Sequence, residues 1–327
     1  MAKVKLPAGP HELTAEWLTE ALRSTGTISS SCVKSFASEI IGEGAGLIGQ
    51  LVRVTPHYDS REPRAPRSLI GKFPAEVPEN REIGNVFRLY EREVRFYEEI
   101  ASEVELRTPR RYYSAMDIDR GDYILLLEDL APARLGDQIT GCSVAEAELA
   151  LRELAKFHAT WWDSPRLGEL DWMPFFNDAA IVQSVKDSFK YYWPPFQERF
   201  RTILPSYIAE IAETFPEDVA GIMDRLTLPP RTIIHGDYRL DNLFFGQAGG
   251  VDTLAAIDWQ ISARGRGVFD VAYFIAGSLP FKEREARDVA EHALHVQRSE
   301  EKHPEESTDH QRNSSVGARD VARLEDA

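Results

Sequence analysis

Asp237, Asn242 and Asp258 stand within one stretch of the chain, residues 233–259, which reads IIHGDYRLDNLFFGQAGGVDTLAAIDW. Two carboxylates and an amide can hold a divalent cation and accept a proton from a hydroxyl. Phosphoryl transfer asks little more of a protein than this: oxygen ligands for Mg2+, charge neutralisation for the phosphates, and one carboxylate for the hydroxyl proton. The flanking residues dictate how the three meet. Thr232 to Ile234 is a short apolar strand ending at His235, and a polar loop runs from Gly236 to Asp241. Asn242 precedes a second strand over 243–245, Gly246, Gly249 and Gly250 permit a turn, and 253–257 is β-branched and apolar enough to return. Antiparallel pairing then sets Asn242 and Asp258 at the same open end, with Asp237 on the loop leading in. The bland alternative is that these polar residues only cap a loop and close a hairpin.

The five-residue spacing of Asp237 and Asn242 is that of the kinase catalytic loop, and Asp258 falls where that machinery has its metal-binding Asp. On His235-Gly236-Asp237, Asn242 and Asp258-Trp259, the chain resembles the aminoglycoside phosphotransferase and choline-kinase-like superfamily of small-molecule kinases, ecdysteroid-kinase-like members included. GVFDVA at 267–272, LLLEDL at 125–130 and LAKFHATWW at 154–162 carry the resemblance further, to roughly residues 12–290. It implies a two-lobed, protein-kinase-like α+β fold, ATP and Mg2+ as cofactors, and Asp270 bracing the catalytic loop from the following helix. It is silent on the acceptor. His-Gly-Asp lacks the arginine of His-Arg-Asp, and the span from Asp258 to Asp270 is short for an activation loop, so a small molecule is expected as acceptor rather than a protein.

Composition sets outer limits. The 327 residues, 43% hydrophobic, can bury a substantial core, and a formal charge of −15 argues against nucleic acid or an anionic membrane as main partner. Two cysteines, Cys32 and Cys142, make no disulfide framework, and the sequence shows no signal-like or membrane-spanning apolar run. A cytoplasmic protein is expected. Its oligomeric state is not legible.

The elements before the hairpin must supply the nucleotide side. A helix is predicted over 15–23 with Thr14 as N-cap. Residues 35–55 parse as strand, glycine turn and strand, with Gly42, Gly44 and Gly46 letting backbone N–H groups approach phosphates. Lys72 is a lone cation in an apolar strand over 68–73. Glu93 shares the apolar face of a helix predicted over 85–101 with Val86, Leu89, Tyr90, Phe96, Tyr97 and Ile100. A carboxylate among such neighbours needs a cation, and Lys72 is the partner expected. Glu91, Glu98 and Glu99 fall off that face and read as solvated.

An apolar strand over 123–127 leads through Glu128 and Leu130 into a connector, where the resemblance places the hinge and backbone contacts to adenine. A helix over 144–162 opens the larger lobe, and His158 reads as a packed, hydrogen-bonded histidine. The aromatics of 163–225 read mainly as helical core, with a cation pocket built with Asp163, Asp178 or Asp187 as the alternative. Arg264 and Arg266 read as facing phosphate or joining ion pairs. Beyond about His295 the chain is polar and aperiodic, so 298–327 is expected to be a disordered tail where similar kinases continue with helices. The division expected is a nucleotide-binding lobe at 1–127, a hinge at 128–134 and a catalytic and substrate lobe at 135–297. The expected activity is transfer of a γ-phosphoryl group to an alcohol, with Asp237 as base, Asn242 and Asp258 on Mg2+, and Lys72 and Glu93 serving the phosphates. A non-catalytic nucleotide-binding protein is the alternative.

Overall fold

The structure, a computed structural model, describes residues 5–42 and 48–279. Gly44, Gly46 and the expected tail at 298–327 lie outside the described residues.

Helix α1 (Ala15–Ser24) starts where Thr14 accepts the Trp17 N–H at 3.1 Å. Its buried side chains Trp17, Leu18, Ala21 and Leu22 lie on one face of an antiparallel sheet. That sheet contains β1 (Val33–Ile41), β2 (Gly49–Tyr58), β3 (Leu69–Pro74), β4 (Arg111–Asp117) and β5 (Asp122–Glu128), in the order β1-β2-β3-β5-β4. Strand β5 shows why the sheet can be covered twice. Alternate residues point to opposite faces, so Ile124 and Leu126 join the α1 side, whereas Tyr123, Leu125 and Leu127 join the core that continues into the rest of the molecule.

On that second face the predicted helix is divided. Helix α2 (Pro78–Val86) ends before Arg88, whose φ of 52° breaks the run, and α3 (Leu89–Arg95) begins anew and widens into a π-helical turn over Phe96–Ile100. Val86 therefore falls on a different helix and is exposed. Glu91 also departs from expectation. It is buried, held by Arg88 at 2.6 Å and Arg95 at 3.1 Å. A cation three residues before it, at the break ahead of α3, and one four after it on the helix make that burial tolerable, which a pattern drawn from apolar residues alone overlooks.

Helix α4 (Val144–Thr160) is opened by a capping box between Ser143 and Glu146. Its Leu151, Leu154 and Phe157 share a core with Phe96 and Trp259. Strands β6 (Arg134–Leu135), β8 (Leu243–Ala248) and β9 (Val251–Ala256) make a small sheet, and β7 (Thr232–Ile234) pairs with β10 (Ala263–Gly265). Helix α7 (Val268–Ser278) follows. Between them α5 (Ala179–Phe200) and α6 (Ser206–Arg225) pack on each other as a hairpin. The expectation of aromatic core fails there. Trp172 is buried, but no residue of α5 is, and Tyr191 and Tyr192 are 74% and 65% exposed. Aromatics at consecutive positions 191, 192 and 193 surround a helix, and a single helical neighbour cannot cover them all.

Candidate active site

The loop between β7 and β8 is fixed from beneath by Asp270, near the start of α7. Its fully buried carboxylate accepts the His235 N–H at 2.7 Å and the Gly236 N–H at 2.9 Å, and pairs with His158 Nε2 at 3.0 Å. Gly236 has φ 85°, and a Cβ there would lie 2.6 Å from the Ile261 carbonyl oxygen, so only glycine fits. His235 Nδ1 accepts the Asp237 N–H at 3.2 Å, which assigns the proton to Nε2, donating to the Ile257 carbonyl at 2.9 Å. His158 is thus a packed histidine, as its sequence context indicates.

Asp237 emerges from this support with unequal oxygens. Oδ2 accepts from Asn242 Nδ2 at 2.9 Å and Arg239 Nε at 3.1 Å, whereas Oδ1 accepts only the Tyr273 hydroxyl, at 3.0 Å, among the described residues. Asn242 also donates to the Asp237 carbonyl at 2.9 Å. With its Nδ2 turned to Asp237, its Oδ1 points the other way, free of donors among the described residues. The β8–β9 hairpin then does what the sequence requires: Leu243 faces Ala256, and Ile257 N–H donates to the Asn242 carbonyl at 3.0 Å, so Asn242 and the residue before Asp258 are cross-strand neighbours.

Asp258 sits at φ 66°, a left-handed conformation that costs a non-glycine residue about 1–3 kcal/mol and persists only where the surroundings over-determine it. Here they do. Trp259 is fully buried, stacked on Phe96 at 3.8 Å and against His235 at 4.4 Å. Lys72 Nζ reaches Asp258 Oδ1 at 3.1 Å and Glu93 Oε1 at 2.5 Å, and Gln260 Nε2 donates to Glu93 Oε2 at 3.2 Å. Burial works against the charge on Lys72, but Asp258 and Glu93 outweigh it and hold the ammonium above the usual lysine range. Burial raises the Glu93 carboxyl, and Lys72 pulls it back. One cation thus ties β3, α3 and the hairpin end together.

The remaining sequence candidates scatter. Gly42 ends β1 at φ 69°. At the connector, Glu128 N–H is spent on the Arg110 carbonyl at 2.8 Å and its carboxylate on Arg107 at 2.8 Å, while the Leu130 N–H donates to no group among the described residues. Among the described residues Arg264 and Arg266 make no ion pair. Arg264 stacks on Phe175 at 3.9 Å and donates to the Leu167 carbonyl, and Arg266 donates to the Pro229 carbonyl. Of the three carboxylates, Asp163 receives the Arg231 N–H, Asp178 caps α5 and Asp187 takes Gln183. Sequence reasoning missed Arg239, Gln260 and Tyr273. Arg239, two residues past Asp237, and Tyr273, one helical turn past Asp270, carry a spacing signal. Gln260 carries none.

Two lobes, an antiparallel sheet with its helix and a mainly helical body, meeting at a lysine, a glutamate and a loop of Asp and Asn, define a protein-kinase-like fold. The chain belongs to the phosphotransferase enzyme family (APH), whose model matches residues 71–304. Among solved structures it is similar to the GDP and kanamycin complex of APH(2")-IIia, at 15% identity over 89% of this chain and 84% of that one, with a TM-score of 0.50. It is also similar to Plasmodium vivax ethanolamine kinase, at 14% identity over 80% of this chain and 68% of that one, with a TM-score of 0.50. No curated protein matches the sequence. Among the described residues no helix is long and apolar enough to cross a membrane.

Proposed function

We propose that this phosphotransferase moves the γ-phosphoryl group of ATP to the hydroxyl of a small molecule, with Mg2+. The observation that carries the reading is the single contact chain Glu93–Lys72–Asp258, which ends beside the Asn242–Asp237 pair. Asp258 and Asn242 suit Mg2+: Asp258 spends one oxygen on Lys72 and Asn242 turns its amide oxygen away from Asp237, so each keeps an oxygen for a hard cation that retains most of its waters. Mg2+ held there by Asp258 and Asn242 would supply charge neutralisation to the transferring phosphates.

The residues then divide the work. Lys72, kept charged and oriented by Glu93, binds phosphate. Gly42 approaches the phosphates through backbone, and the connector at Glu128 and Leu130 presents backbone to the base. Asp237 orients the acceptor hydroxyl and takes its proton. As the acceptor oxygen bonds to the γ-phosphorus, the bond from that phosphorus to the β,γ-bridging oxygen breaks, ADP leaves, and the proton remains on Asp237. The division into lobes at 1–127 and 135–297 about a hinge at 128–134 belongs to the same proposal, as does a cytoplasmic location, where ATP is at hand.

The test is a panel of alcohols, amino alcohols, sterols and aminoglycosides incubated with the protein and Mg-ATP. Mass gain of one phosphoryl group on a panel member, abolished by Asp237→Asn, is the expected result. ATP binding without transfer to any member or to water would instead favour a nucleotide-binding protein that does no chemistry.

A further inference from the structure

The two oxygens of Asp237 are not equivalent, and the difference indicates where an acceptor must sit. Oδ2 already receives two N–H donors, from Asn242 and Arg239. A carboxylate oxygen offers two lone-pair sites, so Oδ2 is full and Oδ1, with Tyr273 as its one donor among the described residues, has a site left. The proton of an incoming hydroxyl can therefore only be received at Oδ1, beside the Tyr273 phenol.

What lies next to that position is apolar. Tyr273, 42% exposed, stacks on Phe269 with ring centroids 5.8 Å apart and planes within 20°, and Phe269 meets Phe176 at 4.4 Å. The three rings make a row leading away from Asp237. Arg239 serves both carboxylates of the loop, Asp237 and Asp241. Arg239 NH1 donates to Asp241 Oδ2 at 2.6 Å, Gln138 N–H occupies Asp241 Oδ1 at 2.9 Å, and Asp258 is paired with Lys72. Beside Asp237 Oδ1 the surface offered to a carbon skeleton is aromatic.

Building on the phosphotransferase reading, we propose that the acceptor is an alcohol whose flat or apolar carbon skeleton lies on the Tyr273–Phe269–Phe176 row, with its hydroxyl at Asp237 Oδ1. Tyr273 is then a positioning residue: its hydroxyl fixes the rotation of the carboxylate, and its ring forms the first part of the platform. Burial and Asp237 push the Tyr273 phenol up to about 12, so it is a donor, not a base, throughout the neutral range.

The test compares 2-phenylethanol and cyclohexanol with glycerol, choline and kanamycin as acceptors for the full chain and Mg-ATP, reading phosphorylated product by mass. The two apolar alcohols should be used at least about tenfold better in kcat/KM. With the better of them, Tyr273→Phe should lower kcat about tenfold while KM stays within twofold, as expected for loss of one hydrogen bond to a charged group. Phe269→Leu should raise KM with kcat little changed, and melting temperatures of both variants show whether they fold. Preferential use of glycerol, choline or kanamycin would overturn the acceptor class and leave phosphoryl transfer standing. A Tyr273→Phe enzyme with parental kcat would overturn the positioning role. Absence of transfer to every alcohol, with Mg-ATP bound, would overturn the phosphotransferase reading and this inference with it.

Discussion

The catalytic loop and the α5–α6 hairpin are built on opposite terms. From Thr232 to Asp258 nearly every polar group is spoken for: Asp270 holds two backbone amides and His158, His235 bridges to Ile257, and Asn242 grips Asp237 twice. Trp259 and Phe96 close the space beneath. Along α5 no residue is buried, and rings such as Phe189, Trp193 and Phe196 pack mainly on one another and on Phe215 of α6. The difference teaches that chemistry and its surroundings are separable here. The groups proposed to act on phosphate are over-determined by a buried network, while the hairpin is constrained chiefly by its own packing.

The contrast can be broken in order of expected effect. Replacing Asp237 by Asn should lower phosphoryl turnover about 10²–10⁴-fold, the usual scale for loss of a general base. Parental turnover would mean the loop is scaffold only. Asp270→Ala comes next. It orphans two buried N–H groups and takes one partner from His158, and should destabilise the protein by about 3–5 kcal/mol, measured by urea unfolding followed by circular dichroism. A loss below about 1 kcal/mol would show the loop holds its shape without its brace.

The lysine junction should respond on a smaller scale and in a coupled way. Lys72→Ala and Glu93→Ala should each weaken Mg-ATP binding, and the double variant should lose less than the sum, with an interaction energy of about 0.5–3 kcal/mol. Additive losses would separate the two residues functionally despite their 2.5 Å contact. At the other extreme, Tyr192→Ser on α5 should shift stability by no more than about 0.5 kcal/mol, as for an exposed position. A drop of several kcal/mol would show that this face is covered and the contrast false.

The same contrast explains what the sequence revealed. The β8–β9 hairpin was legible because period-two apolar strands and a glycine turn fix register, and register alone brings Asn242 to the end where Asp258 lies. The Lys72–Glu93 pair was legible because a charge on an apolar face demands a partner. Tyr273 and Gln260 were not, since each acts through a hydrogen bond between elements far apart in sequence, and neither residue type stands out where it lies. Glu91 misled because its cations lie within four residues of it in the chain. The α5 aromatics misled because hydrophobicity without a partner surface says nothing about burial.

The central claim is that Asp237 and Asp258, at neighbouring points of one site, do different jobs. Calorimetric titration of ATP, with and without Mg2+, into the parent, Asp237→Asn and Asp258→Asn is the most direct test. The account expects Asp237→Asn to bind Mg-ATP within about threefold of the parent, because no metal ligand is lost, and Asp258→Asn to lose most of the Mg2+-dependent gain in affinity, because a charged oxygen ligand is removed. If both variants bind Mg-ATP as the parent does, or if Asp237→Asn is the one that loses the Mg2+ dependence, the assignment of base and metal ligand is contradicted.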